Sequence, residues 1–218
     1  MNTIEIISNT ITFVKETLKN AEGGHDFFHV ERVYKNAIAI AKQEKNADEF
    51  IVALGALLHD IADSKFYDGD ETVGPKKARA FLECQNVEEP QIVHVIKIIE
   101  NISFKGGNFE QKFKSLELDI IQDADRLDAI GAIGIARCFN YGGFKNRALY
   151  NPEIPPNLNM TKEEYKKSKA PTINHFYEKL LLLKDKMNTA TGKLLAEQRH
   201  QFMEQFLEQF YQEWNASV

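Results

Sequence analysis

Apolar residues recur along this chain at helical spacing almost from end to end. From Thr3 to Asn20 the residues Ile4, Ile7, Ile11, Val14 and Leu18 return at steps of three and four, which is one face of an α-helix. Gly23-Gly24 ends that element. A second helix runs from about His25 or Asp26 to Glu44, with Val30, Val33, Ala37, Ile40 and Ala41 on one side. Asn46 and Asp48 offer N-cap chemistry for a third, from Phe50 to about Ile61. That third segment is apolar nearly all round, the mark of a buried central helix.

Downstream, Asp63 to Gly74 reads as a polar loop, and Pro75 suits the first turn of a helix reaching about Cys84. Pro90 opens another, carrying Ile92, Val95, Ile96 and Ile99. A turn at Lys105-Gly106-Gly107-Asn108 precedes one long helical stretch from about Leu116 to Phe139. Residues 141–171 are rich in Gly, Pro, Asn and Lys and predict a surface loop, with a short helix near Thr161 to Ser168. The tail, 172–214, predicts two helices broken near Asn188 to Gly192. No repeat, low-complexity block or β-hairpin interrupts the pattern. The expectation is an all-α fold, a compact helical bundle in a single domain over residues 1–218, with 172–218 as a C-terminal helical extension.

Composition narrows the function classes. The chain of 218 residues, 43% hydrophobic and 27% charged, is ordinary for a soluble globular protein. A net charge of -5 argues against broad nucleic-acid binding but leaves room for a local basic pocket. Cys84 and Cys138 have no metal-finger spacing and read as thiols in a reducing compartment. Neither a signal pattern nor a membrane-span-length apolar run is present, so the expected location is the cytoplasm.

The chemistry lies in three places: His25-Asp26 with His29 four residues on, His59-Asp60 at the end of the apolar third helix, and Asp123-Ala124-Asp125 before Arg126. Imidazole and carboxylate together suit a divalent cation of intermediate hardness. Each segment has a plain structural alternative: Asp26 as a helix cap with His29 in the core, Asp60 as a solvated helix end, Asp123 and Asp128 facing water. A carboxylate at the end of a buried helix is costly unless paired or metal-bound, however. Three aspartates within an apolar helix raise the same question again.

The order His29, His59-Asp60, Asp125 resembles the H…HD…D signature of the HD-domain metal-dependent phosphohydrolases. The text around it is similar to small bacterial HD-domain proteins related to nucleoside-triphosphate pyrophosphohydrolases: His25-Asp26-Phe27-Phe28-His29-Val30-Glu31-Arg32-Val33, Leu57-Leu58-His59-Asp60-Ile61-Ala62-Asp63, and Asp123-Ala124-Asp125-Arg126-Leu127-Asp128-Ala129-Ile130-Gly131. The signature lies within about residues 20–140. The resemblance implies His29, His59, Asp60 and Asp125 as ligands of one divalent ion, manganese or magnesium foremost, with iron, nickel and cobalt open. Asp125 rather than Asp123 matches, because it precedes a positive residue and a leucine. Binuclear members use additional histidines, and only His94 lies between His59 and Asp125.

Asp63, four residues beyond His59, shares its face if the helix continues; several HD hydrolases place an acid there to position water. Lys65 and Arg126 stand nearest the ligands as cations for phosphate, with Lys105 another candidate. The implied reaction is hydrolysis of a (deoxy)nucleoside triphosphate to monophosphate and pyrophosphate. A 5′-nucleotidase, a cyclic-nucleotide phosphodiesterase and a metal- and nucleotide-binding sensor without turnover are the rivals; a homodimer is compatible with the sequence.

Overall fold

The computed structural model describes residues 2–19, 21, 26–62, 70–102, 113–161, 164 and 167–217. Among them are nine α-helices and one 3-10 helix, with no strand, so the fold is all-α. No described helix is long and apolar enough to cross a membrane. The chain divides into two compact units, Met1–Asp125 and Arg126–Val218.

In the first unit, α1 is Thr3–Thr17, α2 Phe27–Ala41, α3 Glu49–Leu58, α4 Val73–Cys84 and α5 Glu89–Asn101. Helix α6, Leu116–Asp128, carries the division between the units near its C-terminal end. Local chemistry sets the starts. Asp26 caps α2, and Asp48 caps α3 by accepting from the N–H groups of Phe50 and Ile51, the bonds that an N-terminal turn otherwise lacks. Pro90 lies in the first turn of α5, where its missing N–H costs nothing.

Helix α3 is the axis of this unit. Every residue from Ile51 to Leu58 is buried, and α1, α2 and α5 all pack on it. Burying a side chain such as Leu54 or Leu57 stabilises by about 1.5–3 kcal/mol. Gly55 lets the neighbours come close: a Cβ there would meet Ile121 Cδ1 of α6 at 2.6 Å and Ile98 Cγ2 of α5 at 3.4 Å.

The second unit holds α7, Gly131–Phe144, α8, Asn174–Glu178, the 3-10 helix Leu180–Lys186, and α9, Ala190–Trp214. Thr189 caps α9 through a bond from the Gly192 N–H. The core is aromatic: fully buried Phe176 of α8 stacks on Phe206 of α9, and Phe139 of α7 meets both. Cys138 is buried and Cys84 exposed, both as free thiols. Burial pushes the Cys138 thiol up to about 12, which makes it inert.

Several boundaries differ from the sequence expectation; besides the earlier ends of α2 and α3, three lie further along the chain. The single stretch expected from Leu116 to Phe139 is two helices, because Gly131 adopts φ +73 and turns the chain after Asp128. Helix α7 then continues through Gly142-Gly143 to Phe144 instead of giving way at Tyr141; Gly142 is buried beside Thr172. Gly74, expected in a loop, lies inside α4. The 105–108 turn lies outside the described residues, as does part of the short helix expected near 161–168.

Two outcomes follow from this packing. Gly55→Val should lower unfolding stability by about 1–3 kcal/mol, the cost of overfilling a packed core, measured by urea denaturation. His175 of α8 is held down at about 4, first by burial and then by Lys179 and Arg147. An unfolded chain binds that proton at about 6.5, so the folded form is favoured fully above that pH and loses support as pH falls from about 6.5 to about 4. Urea midpoints should drop across that window, and the drop should shrink in His175→Gln.

Candidate metal centre

Asp26 accepts the His29 N–H at 2.9 Å, which closes the first turn of α2 and fixes the backbone of His29 in it. The His29 ring is buried at 4% exposure. The cap and the site residue are therefore one local device: the residue that starts the helix also sets where the imidazole stands.

His59 stands at the other kind of helix end. Helix α3 stops at Leu58, and residues 59 and 60 form a turn. The Ala56 carbonyl, which a continuing helix would bond to the N–H of Asp60, lies 2.7 Å from His59 Nδ1. A carbonyl only accepts, so Nδ1 carries the proton, and in the neutral ring Nε2 then keeps its lone pair. That is the tautomer a metal-binding imidazole adopts when its other nitrogen is tied to the backbone.

Asp125 comes from the last turns of α6. His29, His59 and Asp125 each offer a donor atom within 4.8 Å of the others. The two rings meet edge-on, centroids 5.6 Å apart at 69°. His29 Nε2 and Asp125 Oδ1 are 3.5 Å apart, long for a hydrogen bond. Two ligands each about 2.1–2.2 Å from one ion, at tetrahedral or octahedral angles, are roughly 3.0–3.5 Å apart. The donor set thus fits a divalent ion of the borderline class in both chemistry and spacing.

The other candidates fall as follows. Asp60 follows His59 in the turn, half-buried, and is outside the group of three mutually close donors. Asp63, Lys65 and His25 lie outside the described residues. Arg126 donates through Nη1 to the Lys186 carbonyl at 2.6 Å. His94 is engaged elsewhere: its Nε2 lies 3.0 Å from Ser115 Oγ and 3.4 Å from Glu117 Oε2. Glu117 also accepts the N–H of Asp48, the cap of α3. Asp48 is on the order of 16 Å along the helix from His59 at 1.5 Å per residue, so His94 serves the opposite end of α3.

Asp123 and Asp128, which the sequence left as water-facing alternatives, are 0% and 1% exposed. Asp128 is met by the Arg137 guanidinium. Sequence reasoning passed over Arg137; the signal that would have found it is the cost of an aspartate beside buried Leu127 and Ile130.

An all-α chain that brings two histidines and an aspartate from α2, the turn that ends α3, and α6 to one point has the architecture of the histidine–aspartate, or HD, class. The comparisons agree. Residues 26–130 match the HD domain. A crystal structure of an HD-superfamily hydrolase from Bacillus thuringiensis superposes with a TM-score of 0.81 at 47% identity, over 99% of this chain and 100% of that one. YpgQ of Bacillus subtilis is 41% identical over 201 residues, 91% of this chain and 88% of its own. The crystal structure of YpgQ in complex with ADP superposes with a TM-score of 0.75 at 34% identity, over 98% and 97% of the two chains. The chain belongs to the HD domain family.

The cap on α2 makes a direct test of local design. Asp26→Ala should cost about 1 kcal/mol, read as a lower thermal midpoint, whereas Asp26→Asn should recover most of it.

Proposed function

We propose that this protein is a divalent-metal-dependent phosphohydrolase of small nucleotides, with (deoxy)nucleoside triphosphates cleaved to monophosphate and pyrophosphate as the first choice. One observation carries the reading: the His29, His59 and Asp125 donors lie within 4.8 Å of one another. Family membership supports hydrolysis, and the ADP complex of YpgQ supports a nucleotide.

His29, His59 and Asp125 would hold the ion, with Asp60 as the fourth ligand. A bound divalent ion acidifies water and draws charge from a phosphoryl oxygen. Manganese and magnesium are the first candidates, because two carboxylates beside two imidazoles keep the site hard enough for them. His59 keeps its Nδ1 proton on the Ala56 carbonyl, so its ring stays oriented through a turnover. Asp63 is assigned to align the attacking water and take its proton. Lys65 and Arg126 are assigned to the phosphate charge; a guanidinium has five N–H donors and can serve a carbonyl and a phosphate together.

A panel of nucleotides with Mn²⁺ or Mg²⁺, products resolved into pyrophosphate and orthophosphate, is the test. Turnover should require the ion and cease on chelation, with pyrophosphate as the product. Orthophosphate from monophosphates would move the reaction to a 5′-nucleotidase. Nucleotide binding without any turnover would make the protein a sensor and sink the hydrolase reading. His59→Ala and Asp125→Ala should reduce turnover to background and lower bound metal. Asp63→Ala should keep the metal and lose roughly 10²–10⁴-fold in kcat, the usual worth of a general base.

A further inference from the structure

Among the described residues of the first unit, two large apolar side chains are exposed, Ile4 and Phe28. A single exposed apolar residue is ordinary on a protein surface. Ile4 is of that kind, in the first turn of α1. Phe28 differs in where it stands. It is the residue immediately before His29, in the first turn of α2, and its ring is 62% exposed. Side chains on a helix lean toward its N-terminal end. Phe28 and His29 therefore lean toward the same end of α2, about 100° apart around its axis.

The ring is held from one side. Its neighbour Phe27 meets it edge-on, centroids 6.0 Å apart at 63°. The Lys15 ammonium in the last turn of α1 lies 5.1 Å from the centre of the Phe27 ring, a cation held over an aromatic face. Asp26 accepts the His29 N–H and fixes the backbone of this turn. An aromatic side chain has only two torsions to order and carries no polar atom. It can neither bind an ion nor meet a phosphate. What it offers beside the metal donors is a flat apolar face.

The size of that face selects its occupant. One aromatic ring covers about 150–250 Å², whereas a stable protein partner needs about 800 Å² per side. The apolar surface does not continue along α2, because the next turns on that side carry the Glu31–Lys35 ion pair at 3.2 Å. A flat small group fits such a place, and a nucleotide brings one in its base. We infer that Phe28 is the stacking platform for the nucleobase of the substrate, with Phe27 and Lys15 as the buttress behind it. This rests on the nucleotide reading above and names the part of the site that tells a nucleotide from a bare chain of phosphates. Stacking on one ring is tolerant of base identity, since every base has a π-face.

The test compares two probes on the full chain with Mn²⁺: α,β-methylene-dATP, whose α–β bridge resists hydrolysis, and inorganic tripolyphosphate, which has neither base nor sugar. Phe28→Ala should raise the Kd of the nucleotide about 5–150-fold, the usual worth of one base on one aromatic ring, and leave that of tripolyphosphate unchanged. Phe28→Leu, which keeps apolar bulk without a π-face, should lose as much, and Phe28→Trp should restore parental binding. Trp214 is the one tryptophan of the chain, so in a Trp214→Phe background the indole of the Phe28→Trp variant reports alone. Its fluorescence should be quenched by the nucleotide and not by tripolyphosphate. Parental nucleotide affinity in Phe28→Ala or Phe28→Leu overturns the inference, and so does an equal loss of both probes, which would assign Phe28 to the shape of the metal centre. Either result leaves the hydrolase reading standing if the parent turns nucleotides over. A parent that binds neither probe and turns nothing over defeats that reading and this inference together.

Discussion

A carboxylate taken out of water must be met by a cation, a donor or a metal, and α6 raises that demand along its whole C-terminal half. Ile120, Ile121, Ala124 and Leu127 are fully buried, so this stretch cannot simply turn an acidic face to solvent. Asp123 and Asp128 go into the interior with it. Asp125, two and three residues from these neighbours, is rotated roughly 200° and 300° from them and reaches solvent on one side. Three acids on three bearings need three separate answers. Asp128 has Arg137, and Asp125 lies against His29. A helix so loaded would be expensive anywhere else.

Two of the three close donors stand at helix ends, and this has a physical reason. Inside a helix, side chains four residues apart share a face but the backbone is fully engaged. At an end, backbone groups are open to side chains. Asp26 uses one such N–H to set His29, and His59 uses one such carbonyl to fix its own tautomer. The His29 backbone and the His59 ring are thereby each held by a bond within three residues.

Much of this was legible in the sequence because it is local or periodic. The spacing of Ile4 to Leu18, the uniform apolarity of 51–58 and the caps Asp26 and Asp48 point to α1, α2 and α3 directly. The His29, His59 and Asp125 signature is also a matter of residue order. What did not show was decided by contacts distant in sequence or by single backbone angles. The apolar pattern of Leu127, Ile130 and Ile133 runs unbroken through the turn at Gly131, since one glycine is tolerated in a helix at a cost of about 1 kcal/mol. Gly142-Gly143 reads as a loop until Thr172 is seen beside Gly142. The stop of α3 at Leu58 depends on an imidazole bonding backward to Ala56, which no propensity records. Arg137 was passed over because its partner, Asp128, lies on the far side of a turn.

The unequal burial of the donors bears on what the site can do. His29 is sealed at 4% exposure, while the Asp125 side chain is 45% exposed. An ion shared by them would be sheltered on the imidazole flank and reached by solvent on the carboxylate flank. A fully enclosed site with every position filled by protein is the structural kind; catalytic sites keep a position open. The open flank is also where an anionic substrate would meet such an ion. A carboxylate that is both ligand and gatepost cannot be fixed by burying it, because burial would close the approach.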